Sequence, residues 1–238
     1  MINALRSGDI LNIVLTAFSL LIILLVVFPL HESAHALAAK LLGDDTAERQ
    51  GRITLNPIAH LDILGTIGIL LFGVGWAKPV PVNTARCRKV KSQKTAMALT
   101  AAAGPAANLL SSLIFMIIMK VIVVSTGHNI LNISGALLID FPNDDPNVYT
   151  YIIKAFFIII NIDLLNGVFN LLPIPPFDGS RVVWAFLPEK TYFAIMRYEQ
   201  IIMFVILGLM LTGIISIPFQ ILSNAIYWFF DLITRFIC

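Results

Sequence analysis

Residues 10–43 read ILNIVLTAFSLLIILLVVFPLHESAHALAAKLLG. The apolar run 10–30 matches the roughly 20 residues that an α-helix needs to cross a bilayer core. It is longer than the about 7–15 residues of a signal-peptide core, so although Arg6 precedes it, a retained transmembrane helix is expected. Helical composition continues through 31–42, and Gly43 supplies the stop.

The remainder of the chain fits that opening. Of 238 residues 58% are hydrophobic and only 13% charged, and mean hydropathy is +0.88. Soluble domains carry roughly 25% charged residues, so too few charges exist here to cover a water-facing surface. A soluble domain, a disordered tail and a nucleic-acid binder are excluded. The formal net charge is only +2, with the basic residues gathered in one loop. Cys87 and Cys238 are too few and too isolated for a disulfide framework or a zinc ribbon, and read as free thiols in a reducing compartment.

Three further stretches, 95–125, 151–172 and 200–217, have spanning length and composition, the last ended by Pro218. The aromatic stretch 219–237, with Asp231 and Arg235, either lies in the interface or spans weakly. Between the first two spans, GRITLN and PVPVN are short, β-prone and bounded by Gly, Pro and Asn, so they read as strands of a small sheet. The apolar segment between them carries Gly65, Gly68, Gly73 and Gly75 and is too short for a crossing. It reads as a re-entrant loop, because irregular backbone at membrane depth survives only under cover of protein or a watery cavity. The expected fold is an α-helical polytopic membrane protein of about four transmembrane helices, with a small membrane-associated β-sheet and a re-entrant loop. All of 1–238 forms one domain, with a core over about 10–190 and C-terminal helices over about 199–237.

Loop charge sets the orientation. Nine basic residues lie from Lys40 to Lys94, whereas the loop after the second span holds Asp140, Asp144 and Asp145 and no Lys or Arg. The positive-inside rule makes the first loop cytoplasmic and the second external. The C-terminal ends of the first and third spans then face the same, cytoplasmic side.

At the inner end of the first span stands His31-Glu32-Ser33-Ala34-His35, an HExxH sequence. Residues four apart lie about 40° apart around a helix, so both imidazoles share one face. That offers two nitrogen ligands to one zinc ion, with Glu32 beside them as a base. A charged residue inside a membrane helix is a functional hypothesis by default. Catalytic zinc usually takes a third protein ligand. Asp178, His60, Asp62, Asp163 and His128 are the candidates. His128 falls on the external side, and Asp163 is deep in the third span without company. Asp178 follows the inner end of that span, in NLLPIPPFDGSR, where prolines break the helix. Topology favours Asp178, with His60 as its rival.

Five blocks in order, HESAHALAAKLLGD, GRITLNPIAHLDILGT, VGWAKPVPVN, AAAGPAANLL and NGVFNLLPIPPFDGSR, resemble the site-2 protease family of intramembrane zinc metalloproteases across about residues 31–187. The resemblance implies one zinc ion held by His31, His35 and Asp178, Glu32 as general base, and Asn170 at the scissile carbonyl or its oxyanion. It makes Asn108 a site-lining or helix-packing residue. His60 and Asp62 match a motif that lines the site, His60 equally well as a turn residue anchoring the re-entrant loop. The length leaves no room for the PDZ-like or CBS-like domain of many members. The implied substrate is a transmembrane segment, which must unwind before its carbonyls can be attacked. The expected sheet edge of GRITLN and PVPVN would receive it as an added strand. The implied setting is a bacterial or archaeal plasma membrane, with the lipid bilayer as the other partner, and the sequence leaves the oligomeric state open.

Two other classes compete. A di-iron lipid hydroxylase or desaturase needs many histidines, and the chain has four. A metal transporter or a non-proteolytic metal-binding membrane protein needs polar residues through several helices, yet the second span has no ionisable group before Lys120 apart from its start.

Overall fold

The computed structural model describes residues 10–72, 75–126, 130–133, 136–139, 148–212 and 216–237. His128, Asp140, Asp144, Asp145 and Cys238 lie outside the described residues.

The first span is one long helical rod in three pieces: α1 (Ile10–Ile22), a π-helical turn (Ile23–Val27) and α2 (Phe28–Leu42). Pro29 explains the middle piece. It has no N–H for the carbonyl four residues back and its ring crowds that carbonyl, and a wider π turn relieves both problems. Gly43, at φ 109°, closes α2 in the left-handed conformation that glycine adopts without strain. A four-residue helix, α3 (Thr46–Arg49), follows.

α4 (Ile63–Phe72) is 10 residues long, about 15 Å, half of a bilayer core. The chain then comes back alongside its own point of departure. Leu61 and Ala77 form an antiparallel bridge, and Lys78 N donates to His60 O at 2.7 Å. Gly65 and Gly75 allow the two limbs to touch, since a Cβ on either would fall 2.0 Å from the other limb's backbone. Ile69 and Ala77 pack against Leu20, Leu24 and Phe28 of the first rod.

GRITLN and PVPVN do not form strands; the one isolated bridge among the described residues, Leu61–Ala77, lies outside both stretches. Pro79 and Pro81 have no N–H to donate to a ladder. On the other side, the Thr54 carbonyl is taken by the Ser33 hydroxyl and by His60 Nε2. Among the described residues the sheet is a two-stranded antiparallel hairpin, β1 (Ile130–Ile133) with β2 (Ala136–Ile139), in the loop between the second and third spans.

α5 (Gln93–Ser125) and α6 (Val148–Asn170) pack along each other, and α2 packs on α5. With the first rod they make, among the described residues, three helices long and apolar enough to cross a membrane: Thr16–Leu42, Gln93–Ser125 and Val148–Asn170. α7 (Asp178–Trp184), α8 (Glu189–Met196), α9 (Glu199–Leu211) and α10 (Ser216–Thr234) complete the chain. The expected fourth span, 200–217, is not one helix. α9 stops at Leu211 after 13 residues, and Pro218 sits in the first turn of α10, where proline starts a helix rather than ending one. Tyr227 and Phe230 of α10 join Met116, Met119, Ile153, Ile160 and Leu164 in the main core. Beside them Lys120 Nζ meets Asp231 Oδ1 at 2.8 Å, both residues buried.

Candidate metal centre

His31 and His35 point from one face of α2 towards α5 and α7, their rings edge to face with centroids 4.6 Å apart. Gly104 of α5 makes room for them. A Cβ there would lie 2.4 Å from His35 Nε2 and 2.6 Å from His31 Cε1. Each imidazole is held from behind by its Nδ1, which donates to Asn108 Oδ1 at 2.5 Å for His31 and to the Thr100 carbonyl at 2.7 Å for His35.

Asp178 reaches the same point from 147 residues along the chain. The turn that carries it is packed so closely on the end of α6 that a Cβ on Gly179 would fall 2.1 Å from the Leu171 carbonyl oxygen. Phe169 and Phe177, edge to face with centroids 5.1 Å apart, brace the two ends of that turn. Close approach of backbones, beyond ordinary turn formation, is what the Asp-Gly pair serves here.

Three atoms therefore converge. Asp178 Oδ2 lies 3.0 Å from His31 Nε2 and 3.1 Å from His35 Nε2, and the two Nε2 atoms are 3.0 Å apart. In neutral imidazoles whose Nδ1 atoms donate, both Nε2 atoms carry lone pairs, and here they face a carboxylate oxygen. Three lone-pair atoms in mutual contact repel one another unless a cation lies among them. A tetrahedral zinc ion with bonds of about 2.0–2.2 Å wants its ligand atoms roughly 3.3 Å apart, so this donor set suits it with a slight expansion. No other group of three such side chains within reach of one ion occurs among the described residues.

Glu32, between the two histidines in sequence, is half-buried, and its carboxylate takes no hydrogen-bond partner among the described residues. Asn170, the last residue of α6, turns its Nδ2 to the Asn166 carbonyl at 3.0 Å. Asn108 is fully buried and bonded to His31, so it sits directly behind a ligand candidate.

His60 and Asp62 are not part of the converging group. His60 Nε2 donates to the Thr54 carbonyl at 2.8 Å, pinning the 51–56 loop beside Ser33. Burial, with the Arg52 charge in support, pushes its imidazole below the usual range against the pull of Thr54 and Glu32, leaving it neutral at neutral pH. Asp62 Oδ1 accepts from Gly65 N at 2.8 Å and caps the start of α4. The His60 side chain thus holds the 51–56 loop, and its backbone carbonyl, accepting from Lys78 N, joins the two ends of the segment expected as a re-entrant loop.

Gly104, the Thr100 carbonyl, Ser111 and Asn166 also surround the site and were not singled out as its parts from sequence, and Asp163, weighed there as a third ligand, stands behind Asn108 instead. Asp163 was visible as a carboxylate within a span. A backbone carbonyl such as that of Thr100 leaves no signal in residue identity.

The model of peptidase family M50 matches residues 18–213. A Bacillus subtilis (strain 168) protein named "Putative zinc metalloprotease YwhC" is 38% identical over 206 residues, covering 87% of this chain and 86% of that protein. A Mycolicibacterium smegmatis protein named "Putative zinc metalloprotease Rip2" is 27% identical over 207 residues, covering 85% of this chain and 69% of that protein. No solved structure gives a significant match.

Proposed function

Because this chain belongs to peptidase family M50, the family of site-2 proteases, we propose that His31, His35 and Asp178 hold its zinc ion and that Glu32 is its general base. The chain is an intramembrane zinc metalloprotease. The observation that carries the residue assignment is the convergence of two Nε2 lone pairs and one carboxylate oxygen at about 3 Å from one another.

A zinc ion at that point supplies Lewis-acid polarisation of a water and of the scissile carbonyl. Glu32 takes the proton of the attacking water at its carboxylate, which carries no competing hydrogen bond among the described residues. As the carbon–nitrogen bond breaks, the same carboxylate returns that proton to the departing amine. Asn170, released from the Asn166 carbonyl, would offer its amide to the oxyanion; one such donor is worth about 2.7–4 kcal/mol. Asn108 keeps His31 in place. His60 and Asp62 line the approach by holding the 51–56 loop and the start of α4.

The substrate is a membrane protein, cut within or near a transmembrane segment that unwinds to expose its carbonyls. The basic run Arg86, Arg88, Lys89, Lys91 and Lys94 supports a cytoplasmic position for the loop between the first two spans. On this reading the metal site lies toward the cytoplasmic side, and the membrane is a bacterial or archaeal plasma membrane. α10, docked on α5 and α6, is the fourth membrane helix.

Zinc per purified chain tests the assignment. The wild type and Glu32→Gln are expected to hold one zinc ion, Glu32→Gln without peptide hydrolysis, and Asp178→Ala to hold none. Zinc retained in Asp178→Ala would remove Asp178 from the site.

A further inference from the structure

We propose that Asp163 is a positioning residue for the metal site, acting through Asn108 to hold His31 in the tautomer whose Nε2 faces Asp178. This rests on the assignment of His31, His35 and Asp178 as the zinc ligands.

The argument begins at a buried carboxylate that the hydrolytic chemistry leaves without a task. Asp163 lies in α6, inside a spanning helix, and is 1% exposed. Such a group is costly in a membrane unless its oxygens are matched. Both are. Asn108 Nδ2 donates to Oδ1 at 2.5 Å, and the Ser111 hydroxyl donates to Oδ2. Gly167, one turn further along α6, allows this approach, since a Cβ there would already be 3.1 Å from Asn108 Cβ.

The consequence passes through the Asn108 amide, which has one end that donates and one that accepts. A carboxylate can only accept, so it fixes the NH2 end toward Asp163. The carbonyl end must then face His31, and Asn166 Nδ2 at 3.3 Å supports the same orientation. Flipping the amide would press two acceptors together at 2.5 Å. A carbonyl oxygen 2.5 Å from His31 Nδ1 requires a hydrogen on that nitrogen. The neutral imidazole then has its lone pair on Nε2, beside Asp178. Thr100, by contrast, holds His35 with a backbone carbonyl that cannot flip. Of the two histidines, only His31 depends on a side chain that needs a third residue to orient it.

The test uses the full chain in detergent, with zinc as the probe and its dissociation constant read by chelator competition. Asp163→Leu keeps a side chain of similar size but no acceptor, and is expected to weaken zinc binding about 10–100-fold. Asn108→Ala is expected to do the same, and the double variant to lose no more than either single one, because both act through one hydrogen bond to His31. A wild-type dissociation constant in Asp163→Leu, or losses that multiply in the double variant, would overturn the relay. Asp178→Ala is the control: loss of zinc there leaves the ligand assignment standing whatever Asp163 does, and wild-type affinity there overturns that assignment and the relay with it. Should Asp163→Leu fail to fold, 15N NMR of the histidine side chains in the zinc-loaded wild type decides. A hydrogen on His31 Nδ1 supports the relay, and zinc bound at Nδ1 with the hydrogen on Nε2 overturns it.

Discussion

A methyl group on Gly104 would stand 2.4 Å from His35 Nε2 and 2.6 Å from His31 Cε1, with the α5 backbone behind it. Neither imidazole can retreat without breaking its Nδ1 bond to Asn108 or Thr100. Gly104→Ala is therefore expected to displace the ligands by about 1 Å and to lower turnover by about 10²-fold, with the helical content of the protein unchanged by circular dichroism. A turnover within twofold of wild type would show that α5 yields instead. At this scale the HExxH residues were legible because the helical repeat alone puts His31 and His35 on one face. Gly104 was not, because what it contributes is space. Asn108 was legible as a candidate, and only its contacts define its task.

Among the elements, those set by local rules came out as expected: the first rod, its glycine stop, α5 and α6. The expected sheet of GRITLN and PVPVN failed for a reason that β-propensity does not contain. The Thr54 carbonyl has side-chain donors from α2 and from the turn at His60, and the facing stretch has two prolines. The expected helix over 200–217 differs in its bounds, α9 ending at Leu211 and Pro218 lying at the start of α10, because apolar composition does not mark where one helix ends and the next begins. What docks α10 is specific. Lys120, 1% exposed in α5, pairs with Asp231 of α10, which Arg235 also approaches at 3.5 Å. Breaking a buried pair from one side strands a charge, at up to about 3–5 kcal/mol. Lys120→Met is expected to lower the unfolding midpoint in detergent, and Lys120→Met with Asp231→Leu to restore most of it. A midpoint unaffected by Lys120→Met would mean that apolar packing of Tyr227 and Phe230 suffices.

For the molecule as a whole, the metal site is a tie between α2 and α7, elements 147 residues apart in sequence. An ion bound only by the folded chain stabilises it by RT ln(1 + [L]/Kd), about 2.7 kcal/mol at a hundredfold excess over Kd. Chelation is thus expected to lower the unfolding midpoint of the wild type and of Glu32→Gln, and to leave Asp178→Ala where it was. An equal shift in Asp178→Ala would mean that the chelator acts elsewhere. The sequence by itself determined the membrane class, the long helices and the HExxH face, and through the order of its motif blocks the family and its chemistry. These follow from composition, from a 3.6-residue repeat and from residue order, all of which are local in the chain. The tertiary structure alone decided that Asp178 meets both imidazoles and that Gly104 leaves room for them. It also decided that His60 and Asp62 support a loop and a helix start, and that Asp163 stands behind Asn108. Each of those depends on the distance between segments far apart in sequence, which close helix packing sets and no local pattern encodes.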